Sequence, residues 1–197
     1  MQPQTFIFFG KSGSGKGTQA ELLKNELEKK GRKVIYIETG QLLRNFVASG
    51  SGYLHDQTRD IIDNGKLMPV FFPVYLWARV LVESFTGIED VIFDGVSRRM
   101  EEAPIIDSAL DFLNISKRTV VHINVSDQWV TNLLTARGRA DDSLQGITKR
   151  LSWYQSNVVP ILDYFKVNRK YQFFEINGEQ TIREVHTEIL AKIGDLE

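Results

Sequence analysis

The chain has 197 residues, with 24 Lys and Arg against 25 Asp and Glu, three histidines and no cysteine. The missing thiols exclude a disulfide framework, thiol catalysis and a zinc site with thiolate ligands, and a net charge of −1 gives no support to general binding of nucleic acid or membrane surfaces. The length suits one domain with insertions. No apolar run reaches the roughly 18 residues of a membrane span, the nearest (residues 70–82) being interrupted by Pro73 and Arg79. A soluble cytoplasmic protein is expected.

Thr5–Phe9 is the first of five short runs rich in Val, Ile, Phe or Tyr, the pattern of strands buried on both faces. A glycine-rich segment follows. Gly17–Lys30 then places Ala20, Leu23 and Leu27 on one helical face and stops at Gly31. The charge-dense stretch Lys24–Lys33 reads as a solvated helix face. Val34–Ile37 is the second strand and Val91–Phe93 the third. The connection between them, residues 38–90, is too long for one crossover helix. It has room for three and is a candidate mobile subdomain. Thr119–Val125 is the fourth strand, and Asp142–Phe165 reads as a long helix kinked at Pro160. After the fifth strand, Tyr171–Ile176, the string Thr181-Ile182-Arg183-Glu184 is a capping box that opens the last helix. Strands alternating with helices predict an α/β doubly wound parallel sheet, whose ligands sit at the carboxyl ends of the strands.

The segment Gly10-Lys11-Ser12-Gly13-Ser14-Gly15-Lys16-Gly17-Thr18-Gln19 lies between a strand and a helix, the context a phosphate-binding loop requires. Its glycines let the backbone wrap closely with N–H groups turned inward. The helix start adds partial positive charge, and Lys16 supplies a full one for the β- and γ-phosphates. Gly17 stands where the usual P-loop has Ser or Thr, and the hydroxyl follows at Thr18.

Gly15-Lys16-Gly17-Thr18-Gln19 resembles the loop of the adenylate kinase family, and further motifs follow in the same order along almost the whole chain. Glu38-Thr39-Gly40-Gln41-Leu42-Leu43-Arg44 resembles the start of that family's monophosphate-binding (NMP) subdomain, and Asn64-Gly65-Lys66-Leu67-Met68-Pro69 its end. Phe93-Asp94-Gly95-Val96-Ser97-Arg98 sits where the family has Asp-Gly-Phe-Pro-Arg. Arg137-Gly138-Arg139-Ala140-Asp141-Asp142 and Lys149-Arg150-Leu151 resemble the lid and the helix after it. The resemblance implies the P-loop nucleoside monophosphate kinase fold: a five-stranded parallel sheet flanked by helices. The core would span 1–38, 69–136 and 143–197, with the NMP insertion at 39–68 and a minimal lid at 137–142.

It also implies magnesium-dependent transfer, ATP + AMP = 2 ADP, with no zinc, no nucleic-acid or membrane partner, and a monomeric chain. The residues it implies for catalysis are Lys16, Arg98, Arg137, Arg139 and Arg150. Gly13, Ser14, Gly15, Lys16, Gly17, Thr18, Arg137 and Gln180 would bind ATP. Thr39, Arg44, Met68, Gly95, Arg98, Glu102, Arg139 and Arg150 would bind AMP. No side chain is implied as a direct metal ligand; Asp94 would act on magnesium through its waters. Arginines suit such work because the guanidinium fork binds phosphate bidentately and stays charged.

Four positions depart from the family's pattern. Gln41 replaces an Asp, Val96-Ser97 replaces Phe-Pro, Glu102 replaces a Gln that reads the acceptor base, and Leu133 replaces an arginine set against the donor adenine. A carboxylate at 102 accepts hydrogen bonds but cannot donate one to adenine's ring nitrogen, so a CMP/UMP kinase stays open beside an AMP kinase. A non-catalytic P-loop nucleotide-binding protein is the third reading. A GTPase is disfavoured, since the chain has neither Asn-Lys-x-Asp nor Asp-x-x-Gly. His55, His122 and His186 read as structural, and Trp77, Trp129 and Trp153 as packing residues.

Overall fold

In the computed structural model, residues 2–137, 143–194 and 196 are described. Five strands, β1 (Gln4–Gly10), β2 (Val34–Glu38), β3 (Asp90–Asp94), β4 (Lys117–Asn124) and β5 (Tyr171–Asn177), form one sheet in the order β2-β3-β1-β4-β5. Every pairing is parallel. The central strand explains its own sequence. Phe6 and Phe8 point to one face, packing with Ala20, Leu23 and Leu27 of α1 (Lys16–Lys29) and Val185 and Ile189 of α9 (Ile182–Ile193). Ile7 and Phe9 point to the other, against Trp77 and Leu81 of α4 (Phe71–Ser84), Ile106 and Leu110 of α5 (Glu102–Phe112) and Phe165 of α8 (Val159–Val167). With both faces covered, polar alternation has no place in β1.

The chain passes from β1 to the edge strand β2, returns through β3, then crosses to β4. The sheet therefore reverses direction around β1, and a crevice opens at the carboxyl ends of β1, β2 and β3. The long connection before β3 holds three helices, as expected: α2 (Thr39–Ala48), α3 (Tyr53–Asp63) and α4. The capping box at Thr181 is present in both directions: its Oγ1 accepts from the Glu184 N–H, and the Glu184 carboxylate accepts from the Thr181 N–H. Among the described residues no helix is long and apolar enough to cross a membrane.

Two details differ from the sequence reading. The long helix breaks before Pro160 rather than at it. α7 (Leu144–Trp153) leads into a π-helical turn, Tyr154–Val158, and α8 restarts with the proline in its first turn. A proline lacks the N–H to close the ladder, and its ring displaces the carbonyl four residues earlier, so the backbone widens into the preceding turn. The charge-dense stretch also ends differently: Arg32 is buried. Its Nη2 donates to Asp90 Oδ1 at 2.6 Å and to the Gln2 carbonyl at 2.8 Å, and its Nε donates to the second Asp90 oxygen. Asp90 also accepts the Gln4 N–H at 3.0 Å. Once Gly31 ends α1, the chain turns inward and pins the starts of β1 and β3 together.

His122, on β4, lies buried 3.0 Å from the Tyr154 hydroxyl. Burial pushes its pKa down from 6.5 to about 4, with Glu175 opposing. The folded value lies below the unfolded one, so this stabilisation is complete above pH 6.5 and is lost as pH falls towards 4. A shift of this size corresponds to about 3 kcal/mol. His122→Gln is therefore expected to lose less thermal stability than the wild type between pH 7 and pH 4.5. Equal losses in melting experiments would contradict this role.

Candidate active site

The glycine-rich loop closes at the carboxyl end of β1. The Ser14 N–H donates to the Lys11 carbonyl at 3.0 Å, and Gly13 (φ 85°) and Gly15 (φ 86°) adopt left-handed conformations that other residues avoid. A Cβ at Gly13 would lie 2.9 Å from Leu134 of α6 (Asp127–Arg137), so the loop needs glycine there for space as well. Gly15 caps α1, and Lys16 is that helix's first residue. The departure at Gly17 has a local reason: a Cβ there would sit 3.0 Å from Asp94 Oδ2. A Ser or Thr at 17 would crowd the carboxylate that ends β3.

These parts border a cleft of about 880 Å³ that Lys16, Arg44, Arg98 and Arg150 all line. Gly95 (φ 70°) brings two of them together: its missing Cβ would be 3.2 Å from Arg98 Nη2 and 3.7 Å from Lys16 Cε. Arg98 Nε donates to the Gly95 carbonyl at 3.0 Å. Its guanidinium lies 5.7 Å from the centre of the Trp153 ring. Burial lowers the Arg98 pKa while Asp94 and Glu102 oppose the shift; the group stays charged. Burial pushes the Asp94 carboxyl up, with Lys16 and Arg98 pulling against it.

From the insertion, Arg44 Nη2 donates to Glu38 Oε1 at 2.7 Å and to Gln41 Oε1 at 2.9 Å. The departure at Gln41 thus holds the arginine over Gly40. An anion arriving at Arg44 competes with Glu38 for it. From α7, buried Arg150 reaches across the cleft and donates to Ser12 Oγ at 3.3 Å. Thr39 begins α2 and is buried. Thr39 Oγ1, Ser14 Oγ and Asp94 Oδ1 are buried and lack hydrogen-bond partners among the described residues. All three residues line the cleft, where unpaired buried polar atoms call for a partner.

Thr18, Gln180 and the departure Leu133 line the same cleft. Gln180 Nε2 donates to the Asn177 carbonyl and to Glu188. The Met68 carbonyl accepts from Arg99 Nε at 3.3 Å. Glu102 is buried, and both its oxygens accept backbone N–H groups of residues 97–99. Arg139, with the lid segment 138–142, lies outside the described residues, as does the Arg137 side chain. Among the described residues, no three acidic or histidine side chains gather as a metal-ligand cluster.

Two site residues escaped the sequence reading. Trp153 does more than fill space: its Nε1–H donates to the Gly65 carbonyl at 3.1 Å while its ring backs Arg98. Its position three residues after Arg150, on the same helix face, is a signal that could have found it. Gly178 packs against Ile123 and Val125 where a Cβ would lie 2.5–2.6 Å from their side chains. It fixes the turn that carries Gln180.

The family model described as adenylate kinase matches residues 8–170. Similar proteins include adenylate kinase 1 of Nostoc sp., 31% identical over 95% of this chain and 97% of the relative. Adenylate kinase of Phocaeicola vulgatus is 32% identical over 96% of this chain and 98% of its own length, and adenylate kinase 1 of Synechocystis sp. is 33% identical over 93% of each. With a phosphate loop, three helices between β2 and β3 and converging arginines in the order that these matches span, the chain belongs to the adenylate kinase family.

Proposed function

We propose that the protein transfers the γ-phosphoryl group of magnesium-bound ATP to AMP, reversibly, giving two ADP. One observation carries this reading: Lys16 of the phosphate loop and Arg98 of the β3 loop meet at Gly95, with Arg150 closing on the loop from α7. A site for ATP binding alone has no need of cations arriving from both sides. Arg44 and Arg98 bind the acceptor phosphate, Thr39 and Gly95 shape its pocket, and Lys16 and Arg150 hold the group in transit. The turn at Gln180 receives the donor base, and the loop N–H groups from Gly13 to Thr18 receive its phosphates. Arg137 and Arg139 are assigned to closure over the phosphates by family resemblance.

An acceptor phosphate oxygen attacks the γ-phosphorus as the bond to the β,γ-bridging oxygen breaks, and ADP leaves with that electron pair. The acceptor is already anionic, so no base is required. Catalysis is then positioning and charge stabilisation. The fit to magnesium rests on Asp94, whose buried Oδ1 has no protein hydrogen bond among the described residues and can accept from metal-bound water. Magnesium, when bound, spreads the charge of the donor phosphates.

ATP, AMP and ADP are the partners in this reading. The chain acts as a monomer in the cytoplasm, and its lack of cysteine suits a reducing compartment. ADP formation from ATP with AMP, CMP, UMP or GMP in turn tests the acceptor. AMP is expected to give the highest kcat/KM. Preference for CMP or UMP would overturn the assignment.

A further inference from the structure

Three backbone N–H groups of one turn converge on a single side chain. Glu102, 2% exposed, accepts at Oε2 from the Ser97 N–H at 3.2 Å. It accepts at Oε1 from Arg98 and Arg99 at 3.0 and 3.1 Å. The turn itself is irregular, since Ser97 is a non-glycine residue at φ 52°, a conformation that needs support from its surroundings. Three donors spread over two oxygens demand a carboxylate. A glutamine offers one accepting oxygen and sets an NH2 against the remaining donors. The same turn carries Arg98, folded back on the Gly95 carbonyl, and Arg99, which takes up the Met68 carbonyl. Glu102 and the Met68 carbonyl are thus both engaged with the 97–99 turn.

We infer that Glu102 is a positioning residue: its carboxylate fixes the 97–99 turn so that Arg98 faces the acceptor's phosphate, and it does not read the acceptor's base. This rests on the proposed reading that Arg98 binds the acceptor monophosphate. It explains why glutamate stands where the family has a base-reading glutamine.

The test is calorimetric titration of wild type and Glu102→Gln with AMP and with CMP, in the absence of ATP. Loss of a charge-assisted contact network predicts about tenfold weaker binding of both nucleotides, with the AMP-to-CMP affinity ratio preserved within about twofold. AMP binding as tight as wild type, or a ratio altered more than about fivefold, would overturn the inference, since a base reader must move the ratio. Should Glu102→Gln fail to fold, Glu102→Asp carries the test. It keeps the charge with a shorter reach, so an equal, smaller loss for AMP and CMP supports the inference and a shifted ratio overturns it. Turnover reports separately: wild type that binds AMP yet forms no ADP ends the kinase reading and leaves these binding outcomes standing.

Discussion

Lys16→Met lowers kcat at least about a thousandfold, the upper range for loss of one preorganised charge at a phosphoryl-transfer site, while the fold remains. Methionine keeps an unbranched apolar stem and removes the ammonium, with its charge and its N–H donors. Lys16 is the first residue of α1, so a phosphate at that helix start would meet both its backbone N–H and its ammonium. Its side chain runs beside Gly95, next to Arg98, so no neighbour can move into its place without vacating its own. The substitution also removes one of the two cations that oppose the burial of Asp94, which drives that carboxyl further towards its neutral form. Steady-state kinetics with a melting curve separates the two effects. A variant that melts like the wild type and retains full activity would remove Lys16 from the mechanism.

Arg98→Ala is expected to lower kcat/KM for AMP by roughly a hundred- to a thousandfold, the cost of a lost bidentate guanidinium at a reacting phosphate. KM for ATP should change far less. The asymmetry follows from placement: Arg98 is held by the Gly95 carbonyl and the Trp153 ring, on the side of the cleft where Arg44 enters from the insertion. Arg98→Lys keeps the charge but loses the fork and its stacking, so it should recover only a small part of the activity. Separate KM measurements for the two nucleotides decide the matter. A larger rise in KM for ATP than for AMP would place Arg98 on the donor side.

The layering of the fold was readable because burial leaves a mark on composition. Continuous apolar runs at Thr5–Phe9 and Val91–Phe93 mean strands covered on both faces, and those strands lie innermost in the sheet. The phosphate loop was readable because its glycines have conformational reasons visible in one dimension. The kink was read at the residue that causes it, Pro160, although the backbone adjusts a turn earlier.

Pairings between distant residues were hidden. Arg32 looked like one more surface charge because its partner, Asp90, is 58 residues away. The family's motif implied an acceptor role for Arg44, but its hold by Glu38 and Gln41 depends on how α2 leaves β2. Glu102 lines the cleft, as its place after Arg98 suggested. The direction of its carboxylate depends on the backbone of a turn that Ser97 holds at positive φ, and no spacing rule reports that.

Cations converging from three elements suit transfer between two nucleotides rather than the holding of one. The direct measurement follows ATP, AMP and ADP together in the presence of magnesium. Two ADP are expected for each AMP consumed, with the reverse reaction regenerating ATP and AMP from ADP alone. ATP bound tightly with no AMP consumed, or ADP formed without loss of AMP, would contradict it.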